Sequence, residues 1–243
     1  MTRRRFIADT WTDTTATLTG DQAAHLARVL RAEPGQIYDI VAGGFLHRAE
    51  ITRVIPPTAN SPAQVHLILH EELESDTALP LHLLIAIFKF DHLEWAIEKA
   101  TELGVASITP ILARRTEKHL AQASLARAAR WRRIALEASK QSRRSSIPEI
   151  ADPTALKPAL AAEQSPTRIL LSELEQSTPL TAALHHASSP DTALAIGPEG
   201  GWTPEEMQLF SEHAWLPVTL GPRILRAETA AIAAIAIASS HVG

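Results

Sequence analysis

Near residue 75 of the 243 the spacing of apolar residues changes character, and this change restricts the fold more than any other feature of the chain. Up to residue 72 the apolar positions come in short alternating runs: Phe6-Ile7-Ala8, Ala16-Thr17-Leu18, and residues 36–41, 45–51 and 64–69. Alternation on that scale is the period of a half-buried strand. Gly43-Gly44 joins two of the runs as a hairpin, and Pro56-Pro57 with Asn60-Ser61-Pro62 marks a loop. One helix is predicted over Asp21–Arg31, with Asp21 as its cap and Leu26, Val29 and Leu30 as its apolar face. A small β-barrel carrying a helix accounts for this part.

Beyond the acidic run Glu71–Asp76, strand and helix alternate to the end of the chain. Residues 81–88 form a strand, and Asp91 with Glu94 resembles a capping box. Leu93, Ile97, Ala100 and Leu103 then repeat at helical spacing until Gly104. Further strands are predicted at 105–112, 168–172, 193–196 and 217–220. Helices are predicted at 124–142, where Leu125, Ala128, Ala129, Ile134, Leu136 and Ala138 are the apolar positions, and from Pro179, Pro204 and about Glu228. This alternation predicts an α/β domain, a parallel sheet covered by helices with ligands at the carboxyl ends of its strands. The domain boundaries are accordingly 1–72 and 78–243.

Composition is that of a globular chain, with 45% of residues hydrophobic and 21% charged, and 243 residues suit one large or two modest domains. The absence of cysteine excludes thiol nucleophiles, thiolate metal sites and disulfides. No stretch reaches the length of a membrane span and no apolar leader comes after the first residues, so a cytoplasmic protein without membrane contact is expected. The net charge of −4 argues against a polyanionic partner until it is resolved along the chain: residues 81–147 carry +6 and residues 148–243 carry −7. Within 114–144, Arg114, Arg115, Lys118, Arg127, Arg130, Arg132, Arg133, Lys140, Arg143 and Arg144 face only Glu117 and Glu137. Such a patch is either a solvated helix face or a site for an anionic polymer.

Three strand-end loops carry the chemistry. The first is Leu171-Ser172-Glu173. The second runs from Ile196 through Gly197-Pro198-Glu199-Gly200-Gly201-Trp202 into a helix with Thr203 as N-cap, Pro204 at its first position and Glu206 completing a capping box. Glycine lets backbone N–H and C=O groups approach a ligand, whereas Glu199 and the lack of Lys or Arg count against a phosphate cradle. Neither G-x-x-x-x-G-K-[ST] nor G-x-G-x-x-G occurs, so nucleotide-hydrolase and dinucleotide readings lose their support. A carboxylate beside such a loop suits ribose hydroxyls or a cationic ligand; a plain tight turn is the competing reading. The third loop, Leu220-Gly221-Pro222-Arg223-Ile224-Leu225-Arg226, precedes a helix that is apolar nearly all round and needs burial in the core or against another subunit. Among the eleven histidines no H-E-x-x-H or H-x-E pattern occurs, and no G-x-S-x-G elbow is present, so neither a metal nor a serine nucleophile is expected.

Gly197-Pro198-Glu199-Gly200-Gly201, the run Leu220 to Ala230, and Lys99-Ala100-Thr101-Glu102-Leu103-Gly104-Val105 together resemble the RsmE-type 16S ribosomal RNA uracil-N3 methyltransferases of the SPOUT superfamily. Arg3-Arg4-Arg5-Phe6 and residues His25–Arg31 are similar to that family's PUA-like N-terminal barrel, so the likeness covers essentially the whole chain. Lys140 and Arg144 depart from it, standing where an acidic residue and Gly are usual, as does Val41-Ala42 in place of Asp-Gly.

The resemblance implies a deep trefoil knot, a homodimer, and S-adenosylmethionine bound in bent form by Leu171, Ser172, Ile196, Gly197, Glu199, Gly200, Gly201, Leu220, Gly221, Ile224 and Leu225. The substrate it implies is 16S ribosomal RNA in the small subunit. Uracil N3 must lose a proton to attack a methyl group, which makes Arg226 the candidate cation and Glu228 or Glu173 the candidate proton acceptor. Arg3, Arg4, Arg5, Arg28, Arg31, Arg114, Arg115, Arg143 and Arg144 are the candidate RNA contacts. Ribose 2′-O or guanine-N1 methylation, and a non-catalytic RNA-binding role in ribosome assembly, remain as rival readings.

Overall fold

The computed structural model describes residues 5–74, 78–142, 144–187 and 189–242. They divide into two compact units, residues 1–77 with 139–146, and residues 78–138 with 147–243. The segment 139–146 therefore groups with the first unit, although it lies far along the sequence.

The first unit is a six-stranded sheet in the order β1 (Arg5–Ile7), β4 (Ile37–Ala42), β5 (Phe45–Ile55), β6 (Gln64–Leu73), β3 (Thr15–Thr19), β2 (Thr10–Trp11). Only the β1–β4 pair is parallel. The sheet curls because one extended segment serves both of its edges: Ala8 N donates to Val41 O at 2.8 Å, and Asp9 N donates to Thr17 O at 3.0 Å. Two register shifts in β5, between His47 and Ala49 and between Ile51 and Arg53, add bend. Inside lie Leu18, Leu26, Ile40, Ile51, Val65 and Leu67, all essentially inaccessible to water.

The helix expected over Asp21–Arg31 takes another form. An α-turn, α1 (Gly20–Ala24), runs into a π-helical turn over His25–Val29, and Arg31 ends it at a φ of 50°. Asp21 is not its cap; Thr19 holds that position without a side-chain bond. The wider turn rotates the side chains away from the α-helical stripe, so Leu26 is buried while Val29 is 65% exposed.

In the second unit the parallel strands stand in the order β10 (Thr154–Ala155), β8 (Val105–Leu112), β7 (Leu79–Ala86), β12 (Thr192–Ile196), β11 (Thr167–Leu171), β13 (Leu216–Val218), with β9 (Glu149–Ile150) also beside β8. Helices α2 (Phe90–Glu102), α3 (Lys118–Ser142), α4 (Leu156–Ala162), α5 (Leu180–His185), α6 (Pro204–Glu212) and α7 (Ala227–Val242) connect or succeed them. Alternate residues of β7 face opposite layers. Leu83 and Ile85 join the core with α2, α3, α5 and α7, while Leu84 and Ala86 join the one with α4 and α6. All five residues of β12 are buried, as a central parallel strand requires.

Three local expectations change. Helix α2 begins at Phe90 behind Lys89, which makes no side-chain cap, so Asp91 and Glu94 form no capping box. Glu94 instead binds Arg130 Nε at 2.8 Å and Arg127 Nη1 at 3.3 Å. In α3 the buried positions are Leu120, Ser124, Ala128, Trp131, Ala135, Ala138 and Ser139, while Leu125 is 65% exposed. Residues 149–162, without a strand or helix in the sequence reading, hold β9, β10 and α4. In α7, Ala231, Ala234, Ile235 and Ala238 are buried and Ile232, Ala233 and Ile237 are half-buried.

Candidate active site

Because every strand of the second sheet runs the same way, the ends of β7, β11, β12 and β13 open on one side. A cavity of about 1090 Å³ lies there. It is slightly larger than the range of about 300–1,000 Å³ usual for small-molecule sites. Leu171, Ser172, Ile196, Gly197, Glu199, Gly201, Leu220, Gly221, Ile224 and Leu225 line it, with Glu173 and Arg226. Two residues named from the sequence stand elsewhere: Gly200, whose carbonyl accepts a bond from Arg115 Nη1, and Glu228.

The loops are tied together by backbone bonds. Ser172 N donates to Val218 O at 3.0 Å, Leu180 N to Thr219 O at 3.0 Å and Thr219 N to Thr178 O at 2.9 Å, joining the loops after β11 and β13. Glu175 Oε1 closes the first loop by accepting from Ser177 N at 2.7 Å and Thr178 N at 2.9 Å. Bonds from the Ser177 hydroxyl and from these amides hold its carboxyl down at about 2.

Two glycines of the middle loop have specific reasons. At Gly201 φ is 71°, and a Cβ would stand 3.0 Å from Glu173 Oε1. At Gly197 a Cβ would stand 3.0 Å from the indole nitrogen of Trp202. Trp202 is packed in turn against Phe210, and Phe210 against Trp215, at ring distances of 4.8 and 5.4 Å. The capping box expected at α6 is present. Thr203 Oγ1 accepts from Glu206 N at 3.3 Å, and Glu206 Oε2 accepts from Thr203 N at 2.8 Å. The buried Glu206 also accepts from Arg114 N at 2.7 Å, which ties the end of β8 to the loop.

Besides the three strand-end loops expected from the sequence, the end of β7 supplies a fourth wall. Lys89 and His92 line the cavity from the start of α2. His92 Nδ1 lies 2.8 Å from Oε1 of Glu228, which is 3% exposed in the first turn of α7. Glu228 thus stands behind a histidine rather than in the cavity. The strand-end rule that found the other loops points to residues 89–92 as well.

The arginines named as RNA contacts differ among themselves. Arg28, Arg31, Arg114 and Arg115 are exposed and Arg5 is half-buried, whereas Arg3, Arg4 and Arg143 lie outside the described residues. Arg144 is 9% exposed, and burial lowers its guanidinium to about 10, so it is not a surface phosphate contact. Part of the basic run is also neutralised: Arg127 and Arg130 by Glu94, and Arg132 by Asp152 at 2.6 Å. No cluster of His, Asp and Glu suited to a metal occurs among the described residues, and no described helix is long and apolar enough to cross a membrane.

Comparison with known proteins assigns this architecture to a family. Residues 75–239 match the RNA methyltransferase domain. The ribosomal RNA small subunit methyltransferase E of Synechocystis sp. is 36% identical over 228 residues, covering 92% of this chain and 72% of that protein. The chain belongs to this methyltransferase family. The Bacillus subtilis methyltransferase E is 31% identical over 93% of this chain and 90% of its own length. A Neisseria gonorrhoeae methyltransferase E, solved bound to S-adenosyl methionine, is 30% identical, matches with a TM-score of 0.79 and covers 98% of both chains. A Legionella pneumophila methyltransferase solved with the same cofactor is also 30% identical, with a TM-score of 0.78 over 99% of this chain and 98% of its own.

Proposed function

We propose that this member of the methyltransferase E family methylates N3 of a uridine in 16S ribosomal RNA of the small subunit, with S-adenosylmethionine as donor. The observation that carries this reading is the cavity at the sheet's carboxyl edge, walled by backbone-rich loops and holding both carboxylates and arginines. Its chemistry suits that cofactor: Leu171, Ile196, Leu220 and Leu225 offer apolar walls for adenine, and Glu199 and Glu173 offer acceptors for ribose hydroxyls or a cationic group. Trp202 at Gly197 and Glu173 at Gly201 leave no room for a Cβ there, so these two positions can offer a ligand only their backbone groups. When bound, the cofactor supplies an electrophilic methyl group.

Arg226, at the cavity wall, is the group to stabilise negative charge on uracil as N3 loses its proton. N3 lies on the pairing edge, so the base must be unpaired or flipped to enter. Mass-spectrometric mapping of the methyl group on 16S RNA, offered free and in assembled subunits, tests the reading. 3-Methyluridine supports it; methylation at ribose 2′-O or guanine N1, or no cofactor binding, refutes it.

We also infer a homodimer that acts in the cytoplasm; the half-buried Ile232 and Ala233 on α7 are apolar surface that a second subunit would cover. Light scattering that finds only monomer would exclude it. A trefoil knot formed by the loops after β11, β12 and β13 fits the strand order, in which the chain leaves β12 and passes β11 to reach β13. An experimental chain trace without threading would refute it.

A further inference from the structure

Uracil N3–H is a weak acid, and its deprotonation needs a base whose lone pair faces the cavity. The two carboxylates named from sequence meet this need poorly. Glu228 does not line the cavity, and Glu173 is packed beside Gly201. A carboxylate, with an ordinary pKa of about 4.3, is also a weaker base than imidazole at about 6.5.

We propose that His92 is the general base of the reaction and Glu228 the residue that positions it, a proposal that rests on the methyl-transfer reading above. The imidazole lines the cavity, and its Nδ1–H donates to Glu228 Oε1 at 2.8 Å. That bond fixes the tautomer and leaves the Nε2 lone pair as acceptor. Asp91 Oδ2, at 3.7 Å from Nε2, is beyond hydrogen-bond reach. Glu228 Oε2 is buried without a hydrogen-bond partner, so the carboxylate's only described bond is the one to His92. An acidic group in the first turn of α7 is also favoured by the helix dipole. A histidine that lines the cavity and is held at Nδ1 by a buried carboxylate keeps Nε2 available to take a proton.

In the step itself the N3–H bond breaks with its electron pair staying on N3, and the proton forms a bond to Nε2. The imidazolium remains paired with Glu228 and releases the proton to water after the product leaves. The other charged groups around the cavity are Lys89 on the segment before α2, Asp91 beside His92, Glu173, Glu175 and Glu199 on the loops after β11 and β12, and Arg223 and Arg226 on the loop after β13.

The test uses the full-length protein and its ribosomal substrate. His92→Ala and His92→Gln should each lower single-turnover methylation by about 10²–10⁴-fold. Calorimetric affinity for S-adenosylmethionine should stay within about twofold. The wild-type rate should show an inflection with pH that both variants lose. Added imidazole should partly restore His92→Ala. Nitrogen NMR of the wild type should show a protonated Nδ1 and an unprotonated Nε2, and Glu228→Gln should disturb that pattern and move the inflection. Variants that methylate at wild-type rate with the same pH profile overturn the proposal, as does a loss of cofactor affinity that accounts for the whole defect. If the wild type itself places no methyl on N3, the functional reading fails instead.

Discussion

Glu206 shows how one buried side chain can hold a loop that recognises through its backbone. Its two oxygens serve Thr203 N and Arg114 N, so its loss opens a helix cap and strands an amide of the β8 end. A hydrogen bond to a charged carboxylate contributes about 1.5–3 kcal/mol when buried and less when one partner is exposed. Glu206→Ala should therefore lower unfolding stability by about 2–4 kcal/mol in a denaturant titration. Affinity for S-adenosylmethionine should fall with it; unchanged stability would show that the tie is unimportant. The cap was legible in the spacing of Thr203 and Glu206, whereas the bond to Arg114 spans 92 positions and leaves no trace in local pattern. His92 was obscured for the same reason, since its partner lies 136 residues away.

A second pair, His82 with Glu163, governs pH dependence. Bonding to Glu163 raises the His82 imidazole above its ordinary value. Burial pushes the Glu163 carboxyl up, but bonds from His82 and Ser165 outweigh it and hold it at about 2. Stability from the depressed carboxyl is present above its unfolded pKa near 4.3 and is lost as pH falls toward 2. Stability from the raised imidazole is complete below about 6.5 and is lost as pH rises through its higher folded value. The melting temperature should thus exceed that of Glu163→Gln most between about pH 4.5 and 6.5. A constant difference across the range would contradict this coupling.

At the scale of elements, α3 shows where periodicity is ambiguous. Leu125, Ala129 and Ile134 form one plausible stripe, and Leu120, Ala128, Trp131, Ala135 and Ala138 another. The second is buried, because Trp131 fills the space against Phe90, their rings 6.0 Å apart. In an alanine-rich helix, the position of the one large ring decides which face is inward. Trp131→Ala should cost about 3–5 kcal/mol, while Leu125→Ala should stay within about 0.5 kcal/mol. Equilibrium unfolding of both variants measures the contrast, and equal losses would put the core on the other face. The strands were easier to read than this helix, because β12 throughout and β7 over residues 83–86 are buried on both faces and appear as apolar runs.

Across the whole molecule, the alternation of strand and helix implied a parallel sheet, but the strand order is set by contacts between distant segments. The same holds for charge. Ten basic residues against two acidic ones between 114 and 144 suggest a continuous anion site, yet Glu94 and Asp152, both outside that window, neutralise Arg127, Arg130 and Arg132. Ion pairing therefore separates two classes of arginine. Arg28, Arg31 and Arg114 are exposed and have no ion pair among the described residues. If they meet phosphates, each Ala substitution should weaken binding of ribosomal RNA at low salt and reduce the slope of log K against log salt by about 0.7–1. Arg130→Ala and Arg132→Ala should change the slope by much less, because those guanidinium groups already face carboxylates. Equal slopes for all five variants would mean that ion pairing within the protein does not decide where RNA binds. A slope near zero for the wild type would refute phosphate contact by any of them.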